Sequence, residues 1–152
     1  MTDASTSVKI VVAEDDVDDR LLIEDAFTES KVDADVHFVE DGQELLDFLH
    51  RRGRWEALNG EPYPGLILLD LNMPRMDGRE ALKQIKTDQD LRSIPVVIFS
   101  TSRSEEDIAA SYTAGANSFI SKPVTFEGLL DIVRGLKLYW GDITQLPPSS
   151  GG

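Results

Sequence analysis

The 152-residue sequence predicts a single α/β domain, with a doubly wound, five-stranded parallel sheet flanked by five helices. Short apolar runs alternate along the chain with segments of helical periodicity, which is typical of a parallel sheet wrapped by helices. The run Leu66–Leu69 is apolar at every position, as in strands buried on both faces. The length allows one domain with a substantial core.

The first third of the chain contains two predicted strand–helix pairs. Val8–Ala13 is a β-branched run that stops at the acids Glu14–Asp16, and Asp35–Val39 forms a second short strand. The helix that follows each strand carries apolar residues at helical spacing. The second helix begins at the cap sequence Asp41–Glu44 and ends at about Arg52. The apolar positions of the two helices are Leu22, Ile23, Ala26 and Phe27, then Leu45, Leu46 and Leu49.

The next segment is Arg51–Gly65, a connection that is unusually long for a compact α/β domain. The strand Leu66–Asp70 follows, and then a helix that the sequence Asp77–Glu80 caps. Pro95–Ser100 is the fourth strand, and Ser104 can cap the next helix. The last elements are a turn at Gly115, a strand at Ser118–Ile120 and a helix at about Thr125–Trp140. The apolar positions of the third and fourth helices are Ala81, Leu82 and Ile85, then Ile108, Ala109 and Tyr112.

The composition excludes several classes of function. A net charge of −13 and a pI of about 4.4 argue against nucleic acid and against anionic membrane surfaces. Without cysteine, the chain has no disulfide, thiolate metal site or cysteine nucleophile. Two histidines, His37 and His50, give poor support for zinc or a serine–histidine hydrolase. We expect a cytoplasmic protein, because the sequence shows neither a signal peptide nor a membrane-spanning run.

Polar groups lie at the carboxyl ends of four of the predicted strands. Glu14–Asp16 comes after the first strand and Asp70 ends the third, while Ser100 and Lys122 follow the fourth and fifth. Because the carboxyl ends of parallel strands share one edge of a sheet, we expect these groups to face each other. An aspartate after a buried run must lie where the strand emerges, since an unpaired carboxylate in the core is costly.

The chemistry of this set indicates phosphoryl transfer. Clustered carboxylates at neutral pH call for a cation, and magnesium prefers hard oxygen ligands. Lys122 is a compact positive charge suited to a phosphoryl group, and the Ser100 hydroxyl can donate a hydrogen bond to one. Positioning and charge neutralisation govern such transfers, and an aspartate can itself be the acceptor. We therefore predict that Asp70 attacks a phosphoryl group held by magnesium and Lys122.

The order and spacing of five motifs resemble the receiver domain of a two-component response regulator. The motifs are VVAEDD at Val11–Asp16, LLDLNMPRMDG at Leu68–Gly78, PVVIFSTS at Pro95–Ser102, GANSFI at Gly115–Ile120 and SKP at Ser121–Pro123. The resemblance implies a flavodoxin-like fold with strand order 2-1-3-4-5. The receiver domain would span residues 8–146. The small, polar residues 1–7 are expected to form a flexible N-terminal tail, and residues 147–152 a disordered C-terminal tail.

By this resemblance, Asp70 accepts a phosphoryl group from a phosphohistidine of a sensor histidine kinase. Lys122 pairs with that group, next to a cis bond to Pro123. Such a protein is a phosphoacceptor that supports its own phosphorylation and dephosphorylation, not an enzyme in the usual sense. The implied ligands of magnesium, for which manganese or calcium can substitute, are Glu14, Asp15, Asp70 and the backbone carbonyl of Asn72.

The resemblance also assigns residues to switching and to phosphate lifetime. Ser100 and Phe119 would register phosphorylation, and Asn72 and Ser102 would tune self-hydrolysis. Glu14, Ser100 and Phe119 stand where aspartate, threonine and tyrosine are common in the family. They keep a carboxylate, a hydroxyl and an aromatic ring, although Phe119 has no phenolic hydroxyl to donate.

Two other functions are open at this stage. A phosphohydrolase with an aspartyl phosphate usually has a second acid two residues after the nucleophile, where this chain has Asn72. A receiver-fold interaction module that is never phosphorylated is the stronger alternative, although the acid cluster and Lys122 argue against it. No effector domain is expected after Trp140, so output would pass by protein contact or by phosphorelay.

The last predicted helix carries apolar residues on more than one side. Such a helix usually covers a partner as well as its own core, and packing against the C-terminal tail is the alternative. We predict a homodimer whose interface includes Ile132, Leu136, Tyr139 and Trp140.

A narrower resemblance concerns the kinase partner. The long connection Arg51–Gly65, the run LILLDLNMPRMDGRE and the ending LKLYWGDITQLP are similar to small regulators that partner phytochrome-type histidine kinases. Several of those regulators form dimers. The resemblance implies a phytochrome-type kinase as phosphodonor and leaves room for a downstream phosphotransfer protein.

Overall fold

A computed structural model describes residues 8–144, with side chains described as far as residue 136. The strands are β1 (Val8–Ala13), β2 (Ala34–Val39), β3 (Leu66–Leu69), β4 (Val96–Ser100) and β5 (Ser118–Ser121). The α-helices are α1 (Val17–Ser30), α2 (Gly42–His50), α3 (Gly78–Thr87), α4 (Glu105–Thr113) and α5 (Phe126–Thr144). All strand pairs are parallel, in the order β2-β1-β3-β4-β5. The predicted fold class and strand order are confirmed, whereas both predicted tails and the boundary at residue 146 lie outside the described residues.

The sheet has a hydrophobic layer on each face. Successive side chains of a strand point to opposite faces, so β3 contributes Ile67 and Leu69 to one layer, and Leu66 and Leu68 to the other. The α2–α3 cluster includes Val11, Ala13, Ile67, Leu69 and Ile98 from the strands, with Leu45, Leu49, Ala81, Leu82 and Ile85 from the helices. The α1–α5 cluster includes Ile10, Val12, Leu66, Leu68, Val97 and Phe99, with Ile23, Phe27, Leu129 and Val133. Because β3 is buried on both faces, a polar side chain can approach solvent at the carboxyl end of this strand.

Two helices present different residues to the core than their apolar patterns predict. On α1, Ile23, Ala26 and Phe27 are buried, but Leu22 is 45% exposed. At about 100° per residue, Ile23 lies near the middle of this buried face, and Leu22 points about 100° away from it. On α4, Ser111 is buried while Tyr112 is exposed. The Ser111 hydroxyl donates to the carbonyl of Asp107 at 2.8 Å, which satisfies its polar group inside the protein.

The long connection Arg51–Gly65 contains regular structure and packs against α2. It contains a 3-10 helix at Gly53–Leu58, whose Trp55 ring packs edge-on against Phe48 at 4.9 Å between centroids. Arg51 donates to the carbonyls of Glu61 and Pro62, at 3.2 and 2.8 Å. The connection therefore folds back against α2 and extends the α2–α3 cluster.

Helix α5 begins one residue later and ends four residues later than predicted. Leu136 is only 4% exposed and packs in the α1–α5 cluster, so its prediction as a dimer contact is wrong. Ile132 is half-buried at the edge of the same cluster, whereas the side chains of Tyr139 and Trp140 lie outside the described residues. Within residues 8–144, no helix combines the length and apolarity needed to cross a bilayer.

Candidate functional site

The structure places Asp70 directly after β3, at the carboxyl edge of the sheet. Its N–H donates to the carbonyl of Ala13 at 3.2 Å, and the residue is 6% exposed. The chain then returns through a tight loop to α3, where the Gly78 N–H donates to the carbonyl of Leu71 at 2.9 Å. A Cβ at position 78 would lie 2.1 Å from the Asp70 carbonyl oxygen, so only glycine permits this approach.

Lys122 joins the ends of β1, β3 and β5. Its Nζ lies 2.5 Å from a Glu14 oxygen, 3.0 Å from an Asp70 oxygen and 3.1 Å from an Asp19 oxygen. The Lys122 N–H donates to the carbonyl of Ser100 at 2.9 Å, which fixes the start of this side chain at the edge of the sheet. The predicted meeting of Glu14, Asp70 and Lys122 is therefore confirmed.

Burial and charge act against each other in this cluster. Burial raises the pKa of Glu14 to about 7, because Lys122 only partly offsets the loss of solvent and Asp70 adds repulsion. Burial also tends to lower the pKa of Lys122, but hydrogen bonds and charge attraction from Glu14 and Asp70 outweigh it and hold that pKa above its usual value. The lysine is a fixed cation, and the Glu14 carboxyl is poised between its two forms near neutral pH.

The acidic residues fit a divalent cation. Glu14, Asp15 and Asp70 each offer a carboxylate oxygen, and these atoms lie within 4.8 Å of one another. Hard oxygen ligands at this spacing suit ions such as magnesium or manganese. The Asn72 N–H donates to an Asp70 oxygen at 3.2 Å, so the Asn72 backbone lies beside the cluster. Asp16 is set apart from the three acids because its side chain caps α1 through the Asp19 N–H.

The hydroxyl residues form a separate chain of hydrogen bonds that leads to α3. Ser100 is fully buried, and its oxygen accepts from the Ser102 N–H at 3.2 Å. The Ser102 hydroxyl donates to Asp107 at 2.7 Å, and the Arg79 guanidinium holds Asp107 through two bonds at 2.9 and 3.1 Å. Phe119 lies on β5 and packs, half-buried, against the α2–α3 cluster.

The expected cis bond before Pro123 is wrong. Residues 8–144 contain no cis peptide bond, so the Lys122–Pro123 bond is trans. The trans form is intrinsically favoured before proline, by about 0.5–1 kcal/mol. Lys122 reaches Glu14 and Asp70 with this trans bond in place.

Sequence reasoning missed the partners that approach the site from other elements. Asp19 touches Lys122, and Asp107, which Arg79 holds, accepts a hydrogen bond from Ser102. Asp19 could have been found, since it lies one helical turn from the acids that precede α1. The Arg79–Asp107 pair joins α3 to α4 over 28 residues, and no local spacing signals it.

Comparison with known proteins agrees with this geometry. The family model described as response regulator receiver domain matches residues 10–134. Response regulator Rcp1 of Synechocystis sp. is 36% identical over 148 residues, which cover 97% of this chain and 99% of the relative.

Solved structures of relatives share the fold. The phosphorylated cyanobacterial phytochrome response regulator RcpA superposes with a TM-score of 0.82 at 40% identity, covering 93% of this chain and 99% of that chain. The manganese-bound form of Rcp1 superposes with a TM-score of 0.80 at 36% identity, covering 92% and 99%. With the family model matching most of its length, the chain belongs to the response regulator receiver domain family.

Proposed function

We propose that Asp70 accepts a phosphoryl group from a phosphohistidine of a sensor histidine kinase. The observation that carries this proposal is a buried carboxylate at the end of β3, 3.0 Å from the fixed cation of Lys122 and beside the acids Glu14 and Asp15. An Asp70 oxygen would form a bond to phosphorus while the phosphorus–nitrogen bond breaks, and the leaving imidazole takes up a proton. The nearby ammonium of Lys122 would offset the charge of the phosphoryl oxygens.

We assign the metal as magnesium, with manganese or calcium as substitutes. Its ligands would be Glu14, Asp15, Asp70 and the backbone carbonyl of Asn72. When bound, it would neutralise charge on the transferring phosphoryl group. The chain thus supports its own phosphorylation and dephosphorylation, with Asn72 and Ser102 tuning hydrolysis. The switch pair is Ser100 and Phe119.

An exposed apolar surface beside Lys122 supports docking of the phosphodonor. Leu22 on α1, Val124 before α5 and Phe126 at the start of α5 are exposed. They line a groove of about 210 Å³ that Lys122 and Asp19 also line. Exposed apolar clusters of this kind often mark protein interaction sites. Val17 and Leu21 are further exposed apolar residues on α1.

The kinase that we propose is phytochrome-type, in the cytoplasm. This choice rests on similarity to RcpA, which is a cyanobacterial phytochrome response regulator, and to the bacteriophytochrome response regulator RtBRR, at 37% identity and a TM-score of 0.75. Output would pass by protein contact or through a downstream phosphotransfer protein.

We also propose a homodimer through α5, in which Ile132 takes part. Ile132→Asp should then lower the mass in sedimentation, and an unchanged mass would exclude Ile132 from an interface.

Phosphotransfer from an autophosphorylated phytochrome-type kinase tests the whole proposal. Labelled phosphate should move to the wild type in magnesium but not to Asp70→Asn. Leu22→Asp should slow transfer from the kinase while leaving labelling by a small phosphodonor unchanged, because it alters the docking surface alone. Equal labelling of the wild type and Asp70→Asn would contradict the acceptor assignment. If a small phosphodonor labels the wild type but the phytochrome-type kinase does not, the proposal that the partner is a phytochrome-type kinase is wrong.

A further inference from the structure

The loop between β3 and α3, residues 71–77, is held by a second element, the beginning of α2. Arg75 in this loop forms an ion pair with Asp41, which caps α2. Beside this pair, the Gly42 N–H donates to the carbonyl of Met76 at 2.8 Å. We propose that Asp41 and Arg75 are positioning residues for the metal site at Asp70, an inference that rests on the proposed function.

Asp41 carries a charge that helix capping does not require. One of its oxygens accepts from the Glu44 N–H at 2.8 Å, a bond that serine or asparagine would make equally well. Asp41 is only 1% exposed, and a buried carboxylate is costly unless a cation pairs with it. Arg75 is that cation and binds the other oxygen. The ion pair, rather than the cap, accounts for an aspartate at this position.

Arg75 also has a backbone conformation that outside contacts must maintain. Its φ of +61° lies in the left-handed region, which residues other than glycine seldom adopt. Such conformations persist where the surroundings determine them, often at functional sites. The approach of α2 is equally specific, since a Cβ at position 42 would lie 2.4 Å from the Met76 carbonyl oxygen. Charge and close packing together fix the loop from the α2 side.

The loop carries the group that this arrangement would position. The bond from the Gly78 N–H to the Leu71 carbonyl closes the loop at its ends, and the ion pair with Asp41 holds Arg75 inside it. Asn72 lies between Leu71 and Arg75, and its N–H donates to Asp70. The position of the proposed metal ligand, the Asn72 carbonyl, thus depends on the conformation of the loop. Loss of groups that orient metal ligands typically weakens metal binding about 10- to 100-fold.

Two substitutions isolate this role. Asp41→Asn keeps the capping oxygen and removes the charge, while Arg75→Gly keeps the left-handed backbone and removes the side chain. Glu44→Gln is the matched control, because it removes one carboxylate charge from the same helix. The ion pair of Glu44 with Arg54 joins α2 to the long connection, not to the β3–α3 loop.

The readout is the dissociation constant for Mn²⁺, measured from the electron paramagnetic resonance signal of the free ion. Unfolding in urea is followed separately for each variant. Asp41→Asn and Arg75→Gly should each weaken Mn²⁺ binding about tenfold. The double variant should be no weaker than either single one, because both remove the same interaction. Glu44→Gln should bind as the wild type does.

Wild-type Mn²⁺ affinity in both single variants would overturn the proposal, even if their stability falls, because a merely structural pair would give that result. Equal weakening by Glu44→Gln would also overturn it, since general charge loss would then explain the effect. A wild type that binds no Mn²⁺ would instead contradict the proposed function itself.

Discussion

At the scale of single residues, one lysine sets the charge of the site. Lys122 contacts Glu14, Asp70 and Asp19, and within residues 8–136 no second cation pairs with these three carboxylates. The cluster keeps an excess of negative charge, which either a proton or a divalent cation can offset. The raised pKa of Glu14 means that, without a metal ion, this carboxyl binds a proton more readily than an ordinary glutamate does.

The stability of the metal-free protein should therefore fall as the pH rises through the titration of Glu14. Burial raises this pKa from 4.5 to about 7, so between these values the folded state holds a proton that the unfolded state has released. Stability falls with pH wherever the folded state binds more protons. The decrease should amount to at most roughly 3 kcal/mol and level off above pH 7. In Glu14→Gln, the part of the pH dependence that comes from Glu14 should be absent when the unfolding free energy is measured in urea with a chelator. If the unfolding free energies of the two proteins change with pH in parallel, Glu14 is not the titrating group.

Two hydrogen bonds of Lys86, away from the site, should contribute to the stability of the fold. Its Nζ donates to the carbonyls of Arg92 and Ile94 at 3.0 and 2.7 Å, and burial lowers its pKa. Lys86→Met keeps an unbranched side chain but leaves both carbonyls without this donor, which should cost about 1–3 kcal/mol of unfolding free energy. The exposed Lys83→Met on the same helix should change stability by less than about 0.5 kcal/mol. Similar urea midpoints for the two variants would show that these two bonds contribute little.

At the scale of elements, the long connection acts as a cover for α2. The Trp55 ring packs edge-on against Phe48, and Arg51 lies over the rings of Phe48 and Tyr63. The Trp55 Nε1 is buried without a hydrogen-bond partner among the described residues. The contribution of Trp55 therefore comes from its ring, which packs on Phe48 and lies 4.2 Å from the Arg54 guanidinium.

Replacement of Trp55 should separate packing from hydrogen bonding. Trp55→Ala should cost about 2 kcal/mol, because it removes the ring from a half-buried contact. Trp55→Phe should cost less than about 1 kcal/mol, since it keeps a ring and removes an unpaired donor. Unfolding free energies in urea give both values. A loss as large for phenylalanine as for alanine would show that the Nε1 has a partner in solution.

At the scale of the whole molecule, local sequence patterns were sufficient to predict the sheet and the meeting of Asp70 with Lys122. Apolar runs placed β1 and β3, and the caps at Asp41, Asp77 and Ser104 were all predicted. Parallel topology alone brings the strand ends together, so the meeting of Lys122 with Asp70 followed from strand order.

The remaining features depend on packing between distant segments. Ser111 is buried because its hydroxyl finds a carbonyl within its own helix, which an apolar pattern cannot show. The pair of Asp41 with Arg75 spans 34 residues, and the folded arrangement of α2 and the β3–α3 loop creates it. The exposure of Leu22 likewise depends on how α1 is rotated against the sheet.

A divalent cation should stabilise the whole domain by mass action. At a Mn²⁺ concentration of 100 times the dissociation constant, the unfolding free energy should rise by about 2.7 kcal/mol, because the ion binds the folded state alone. Asp15→Asn should lose most of this gain, since it removes one carboxylate of the cluster that Glu14 and Asp70 complete. The same gain in both proteins would place the ion elsewhere.

The central claim is that Asp70 is the phosphoacceptor, and the intact mass after incubation with phosphoramidate tests it most directly. The wild type with magnesium should gain one phosphoryl group, and none should appear with a chelator or in Asp70→Asn. This result requires no kinase, so it reports on the cluster of Glu14, Asp15, Asp70 and Lys122 alone. No adduct on the wild type under any condition, or an equal adduct on Asp70→Asn, would contradict the assignment and favour a receiver fold that acts by binding alone.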